Sequence, residues 1–141
     1  MKEITAYLNF NGNCREAMEF YAKCLGAELF TMPFAEAKMD VPKEARNRLM
    51  HARLTKGRTM LMASDTLPAM EFKPGNNFSV SLECDSAAEA DKLFSALGEK
   101  GKVTMPLQET FWAARFGMLR DRFGIHWMLN VNKPQSAQSA Q

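Results

Sequence analysis

Asn13-Cys14-Arg15-Glu16 and Ser86-Ala87-Ala88-Glu89 are two versions of one message, and reading them together decides the fold. Each opens on a small polar residue able to cap the free N–H groups of a helix. Each places Glu three positions on, the spacing of a capping box. Upstream of each stands an apolar, strand-like run, residues 4–10 and residues 78–84. Downstream comes a stripe at helical spacing. Ala17, Phe20, Tyr21, Cys24 and Leu25 precede Gly26, a left-handed stop. Ala90, Leu93, Phe94 and Leu97 precede Gly98 and then Gly101, which is read as the second stop.

Three more strand-like segments follow each helix: 28–34, 48–55 and 59–64 in the first half, 102–107, 114–120 and 125–131 in the second. Lys56-Gly57-Arg58 and Asp121-Arg122-Phe123-Gly124 mark tight turns. Strand, helix and three strands, used twice, excludes the alternating order of a doubly wound sheet. The expectation is an α+β protein of two βαβββ modules, residues 3–66 and 77–132, within a single domain over 1–132. Each module carries a helix on one sheet face, and the two free faces form an open barrel-like cleft. Residues 65–77, with Pro68, Pro74 and Gly75, join the halves. The Gln/Ser/Ala-rich tail, 133–141, is expected to be flexible.

The 141 residues are enough to bury a core without staples, and 46% hydrophobic with 24% charged residues is ordinary for a globular chain. The net charge of +2 is spread out, and cations sit beside acids, as in Arg120-Asp121-Arg122. With no basic stripe interleaved with aromatics, no nucleic-acid partner is expected. No apolar run approaches a membrane span, and no leader-like segment opens the chain. Cys14, Cys24 and Cys84 form no CxxC pattern and read as free thiols in a cytoplasmic protein. No P-loop or GxSxG pattern appears.

Asn13 to Tyr21 with Leu25-Gly26-Ala27, set in paired βαβββ modules, resembles the glyoxalase/bleomycin-resistance/extradiol-dioxygenase, or vicinal oxygen chelate, superfamily. Gln108-Glu109-Thr110-Phe111-Trp112 and Asp121-Arg122-Phe123-Gly124-Ile125-His126-Trp127 resemble its PhnB-like branch. The resemblance implies a homodimer. It also implies, in the enzymes of the superfamily, one divalent metal held by His, Gln or Glu side chains from four strands. Counted from residues 12–20 and from Gly124, those positions fall at Ala6, Met62, Ser79 and Met128. None supplies the carboxylate or imidazole such ions require, so no metal and no cofactor is expected.

If Ala6 faces the cleft, Leu8 and Phe10 follow it, and Tyr7 and Asn9 pack beneath the helix. Met60 and Ser81 share the sides of Met62 and Ser79. The candidate ligand-binding residues are therefore Ala6, Leu8, Met60, Met62, Ser79, Ser81 and Met128, with Trp112, which either lines the cleft mouth or packs on a partner subunit, and Arg115, which either holds an anionic group or pairs with a surface carboxylate. For an anionic ligand group, Arg53 and Arg115 are the candidate cations. His51 and His126 stand in no metal-binding spacing. The reading is a metal-free binding protein with an apolar cleft for an aromatic or hydrophobic small molecule. The alternatives are a metal-dependent lyase, isomerase or dioxygenase, and the ubiquinone methyltransferase activity sometimes attached to the family name. A methyltransferase needs a Gly-rich strand-to-helix turn, and Asn11-Gly12-Asn13 has one glycine.

Overall fold

In a computed structural model, residues 1–134 are described, and the chain runs β1 (Tyr7–Phe10), α1 (Cys14–Leu25), β2 (Glu28–Pro33), β3 (Leu49–Lys56), β4 (Thr59–Asp65), then β5 (Val80–Cys84), α2 (Ala87–Leu97), β6 (Lys102–Gln108), β7 (Ala113–Arg120) and β8 (His126–Asn132). Short 3-10 turns at Phe34–Glu36 and Lys43–Ala45 occupy the β2–β3 connection. The strands form two four-stranded sheets, β1-β4-β3-β2 and β5-β8-β7-β6. In each, the first strand runs parallel to the last and the other pairs are antiparallel. This is the α+β pairing of two βαβββ units that the repeat predicts, with neither sheet closing on itself. The chain divides into compact units Met1–Lys73 and Pro74–Gln141. Of the tail expected to be flexible, residues 135–141 lie outside the described residues.

In the first unit, α1 buries Cys14, Ala17, Met18 and Tyr21. They meet the apolar side of the sheet, where Leu8, Ala63 and Ala52 stand side by side on three neighbouring strands and are buried. The next row is Tyr7, Met62, Arg53 and Phe30. Successive strand residues point to opposite faces, so this row lies on the helix-free face. Leu8 is 3% exposed and Tyr7 43%. The expected sidedness of β1 is thus reversed: Leu8 and Phe10 pack under the helix, while Tyr7 and Asn9 face away from it. The physical reason is Gly12. Its φ of +100° belongs to neither strand nor helix, so counting backwards from α1 across it loses the parity of β1. A smaller irregularity lies at Met50, where the β2–β3 register shifts and lets Leu49 turn inward and be buried.

Asp65 replaces the expected capping box of α1. The Asn13 side chain makes no capping hydrogen bond. Instead Asp65, at the end of β4 and 4% exposed, accepts from the backbone N–H groups of Gly12 (2.8 Å) and Cys14 (3.0 Å) through Oδ1, and from Leu49 (2.9 Å) through Oδ2. Arg48 closes the same corner, donating from Nη1 to Asn11 Oδ1 at 3.0 Å and to the Thr66 carbonyl at 2.8 Å.

In the second unit the capping box forms as predicted. Ser86 Oγ accepts from the Glu89 N–H at 3.1 Å, and Glu89 Oε1 accepts from the Asp85 N–H at 2.8 Å. The helix stops at Leu97 with Gly98, three residues before the glycine expected to end it, and Lys100 takes the left-handed conformation. Trp127, Leu129 and Val131 of β8 are buried, as are Leu119, Ala90 and Leu97. Gly117 lets β6 and α2 approach: a Cβ there lies 2.8 Å from Leu107 Cα and 2.9 Å from Phe94 Cε1. Asp121, also buried, accepts from the N–H groups of Phe123 (2.8 Å) and Ile125 (3.0 Å) and from Trp127 Nε1 (2.8 Å).

Asp65→Ala strands several buried N–H donors and is expected to lower unfolding free energy by about 3 kcal/mol or more. Gly117→Ala forces backbone and ring apart, at about 1–3 kcal/mol. Urea unfolding of both variants measures this. A loss under about 0.5 kcal/mol for Asp65→Ala contradicts the anchoring role.

Candidate functional site

Hydrophobic burial accounts for one side of each sheet, and the helix-free sides carry what remains. On the first sheet the row Tyr7, Met62, Arg53, Phe30 crosses all four strands. The Tyr7 hydroxyl lies 2.9 Å from His51 Nδ1, with ring centroids 5.8 Å apart. The bond runs in either direction according to the imidazole tautomer. The Arg53 guanidinium carbon sits 5.3 Å from the centre of the Phe30 ring, a cation–π contact. Among the described residues, no ion pair involves Arg53.

On the second sheet, Ser81, Met128, Met118 and Met105 form one row across four strands. In the adjoining row Asn130 Nδ2 donates to Glu83 Oε2 at 2.8 Å and to Asn132 Oδ1 at 3.0 Å. Trp112 meets Phe116 edge-on at 5.5 Å and Phe111 at 4.8 Å. Phe111 is 87% exposed and Trp112 47%.

Several sequence-predicted residues come together. Met60 and Met62 share the helix-free face of the first sheet. Ser81 lies directly beside Met128 on the second, with Trp112 one row away, and Ser79 leads into β5. Three do not join them. Ala6 precedes β1 and contributes only its carbonyl, which accepts from the Met62 N–H at 3.3 Å. Leu8 is core. Arg115 lies on the Gly117–Leu119 side of β7. Its Nη1 donates to the Ala114 carbonyl at 2.9 Å, and its Nε stands 4.0 Å from Asp91 of α2. The sequence reading missed Tyr7 as a surface group, and it missed the grouping of His51, Arg53 and Phe30. The alternation of His51 with Arg53 is visible in the sequence. Which face it serves is not.

A divalent metal does not fit these faces. The β1–β4 and β5–β8 neighbours on the helix-free sides are Tyr7–Met62 and Ser81–Met128. Phenol, thioether and hydroxyl groups are poor ligands for such ions. Among the described residues, no three His, Cys, Asp or Glu side chains converge. The thiols are no better suited to covalent chemistry. Burial, helped by the Asp65 charge, pushes Cys14 up to about 12. Burial, with Glu89 and neighbouring acids, pushes Cys84 up to about 11. Neither is a thiolate near neutral pH.

The fold is similar to that of a glyoxalase/bleomycin resistance protein/dioxygenase family enzyme from Burkholderia phytofirmans. At 15% identity it shares the fold alone, with TM-score 0.63 over 91% of this chain and 98% of that one. The protein therefore has the glyoxalase/bleomycin-resistance/dioxygenase fold. The pattern of the family described as 3-demethylubiquinone-9 3-methyltransferase matches residues 2–130. The PhnB protein from Bacillus cereus, titled a putative enzyme of that description, is 26% identical, with TM-score 0.76 over 92% and 99% of the two chains. Protein PA1353 from Pseudomonas aeruginosa is 48% identical, with TM-score 0.86 over 95% and 100%. The chain belongs to this PhnB-like family.

Thiol labelling tests the electrostatics. Half-buried Cys24 should react first with an aromatic disulfide at pH 8, and Cys14 and Cys84 far more slowly. Because the folded-state value of Cys14 is raised from 9.0 to about 12, its contribution to stability is complete below pH 9 and is lost as pH climbs towards 12. Cys14→Ala should accordingly reduce the fall in stability across that window, and an unchanged slope contradicts the assignment.

Proposed function

We propose that this PhnB-like protein binds a small aromatic or hydrophobic molecule on the helix-free sheet faces, without a metal centre. The observation that carries the reading is the chemistry of those faces. Where the superfamily's enzymes are expected to hold metal ligands, this chain presents Met62 and Met128, flanked by Tyr7, Met60, Met118 and Met105. Thioethers and aromatic rings adapt to apolar ligands of varied shape. Tyr7 and Met60 are left partly exposed, although they are large and apolar.

A metal-dependent lyase, isomerase or dioxygenase would need several imidazole or carboxylate donors converging on one point, and among the described residues no three His, Cys, Asp or Glu side chains do so. The methyltransferase reading is favoured only by the family's description. Gly12 is the one glycine between β1 and α1, and each sheet mixes parallel and antiparallel pairs, so neither the Gly-rich turn nor the doubly wound sheet is present. S-adenosylmethionine should give no binding heat by calorimetry. A homodimer is part of the proposal, with Phe111 and Trp112 as candidate contacts. Its setting is the cytoplasm, in keeping with three free thiols. Among the described residues, no helix is long and apolar enough to cross a membrane.

Thermal-shift screening against aromatic and hydrophobic metabolites should find compounds that raise Tm by about 5 °C or more at a hundredfold excess over Kd. Met62→Glu or Met128→Glu should abolish the shift. A screen without a stabilising compound, or shifts untouched by both variants, sinks the binding reading. In parallel, light scattering should give twice the chain mass, and Trp112→Ala should reduce it if that ring lies in the contact between copies.

A further inference from the structure

Arg53 stands exposed on a strand, and its position is difficult to explain by folding alone. It lies in mid-strand between Met62 and Phe30, on the face that α1 does not cover. No carboxylate lies within ion-pair distance of it among the described residues. Glu28 stands two positions from Phe30 along β2 on the same face and forms no pair with it. The cation–π contact with Phe30, at 5.3 Å, orders the guanidinium and consumes none of its N–H donors. Two strands away, the Tyr7 hydroxyl is held at 2.9 Å by His51 Nδ1. The face therefore carries an ordered donor fork and a fixed phenol–imidazole pair, with Phe30 and Met62 as apolar surface between and beside them.

We propose that this face recognises a carboxylate: the ligand is a planar, aromatic monocarboxylate. Its acidic group meets the Arg53 fork, its ring lies against Met62 and Phe30, and the Tyr7–His51 pair supplies a further hydrogen bond. The inference rests on the binding reading above and narrows it to a ligand class. The charge count selects a monoanion. Arg53 is the one cation in the row, its planar fork matches a carboxylate bidentately, and Glu28 repels a second negative charge. A phosphoryl dianion calls for converging cations or a helix N-terminus, and neither adjoins Arg53. Arg115, the other candidate cation of the sequence, is drawn towards Asp91 in the second unit and takes no part.

The test is an NMR titration of the isotope-labelled full chain with four probes: benzoate, its neutral analogue benzamide, acetate and phenyl phosphate. Benzoate is expected to bind with Kd below about 10 mM and to perturb amides around residues 30 and 53. Benzamide and acetate are expected to bind at least about 10-fold more weakly. Arg53→Gln should weaken benzoate about 10- to 100-fold, whereas Arg58→Gln, in the β3–β4 turn, should not. Because Arg53 is exposed, circular dichroism of the variant should match the parent. Benzamide binding as well as benzoate, an Arg53→Gln variant that binds benzoate normally, or no benzoate binding up to about 10 mM overturns the proposal. Tighter binding of phenyl phosphate overturns the carboxylate assignment in favour of a phosphoryl group. Acetate matching benzoate, with loss in Arg53→Gln, upholds the Arg53 fork and sinks the apolar half of the reading.

Discussion

A single buried carboxylate, Asp65, determines which side of the first sheet looks outward. Its three hydrogen bonds join the end of β4 to the turn before α1 and to the start of β3. A charged group taken out of water is tolerated only when its oxygens are satisfied, and here backbone N–H groups do this where a helix start leaves donors free. The corner forces Gly12 into a positive φ and leaves Asn13 without a capping role. With Gly12 in that conformation, Leu8 goes inward and Tyr7 outward. The hydrogen bond to His51 and the neighbourhood of Arg53 follow from a turn that none of these side chains touches. Asp121 performs the corresponding task in the second unit, holding the β7–β8 turn and the Trp127 indole.

The two units show how one architecture carries two surfaces. Their cores are built alike: a helix over the inner face of a sheet whose first and last strands run parallel. Selection on packing fixes that side, because volume and polarity errors there are costly. The other side is free to differ. In the first unit it is aromatic and cationic, with Tyr7, Phe30 and Arg53. In the second it is a thioether row beside an amide–carboxylate cluster at Asn130 and Glu83. A fold conserved in this way constrains function weakly, and the chemistry has to be read from the outward rows.

Much of the architecture was legible in the sequence, because it rests on short-range signals. Capping residues, helical spacing and turn glycines gave the element order, and Ser86 with Glu89 behaves as its pattern requires. The errors arose where a long-range contact overrides a local one. Asn13-x-x-Glu16 has the form of a capping box, but a carboxylate some fifty residues away occupies the site; this is tertiary context overriding propensity. The site was legible only in part for the same reason. Period-2 alternation identifies which residues share a face and is silent on which face is buried. Met60 and Met62 fall on one side because they lie two apart within one run, and Ser81 and Met128 stand beside each other through the β5–β8 pairing. Tyr7 is hidden by a one-residue slip at Gly12, and of the two roles the sequence leaves open for Arg115, a ligand contact or a surface ion pair, its place 4.0 Å from Asp91 fits the second.

That slip also changes which group stands at the metal-ligand position of the first strand. The sequence count placed Ala6 at the ligand position of the first strand. The register places Tyr7 beside Met62 and makes Ala6 a backbone acceptor. A phenol is a far more capable group than a methyl, yet its hydroxyl is engaged by His51 Nδ1, and a phenol is a poor partner for a hard divalent ion. What it offers is a directed hydrogen bond at the edge of an apolar surface. An ordered polar tip, a cation braced by a ring and a thioether between them are the components of a recognition surface.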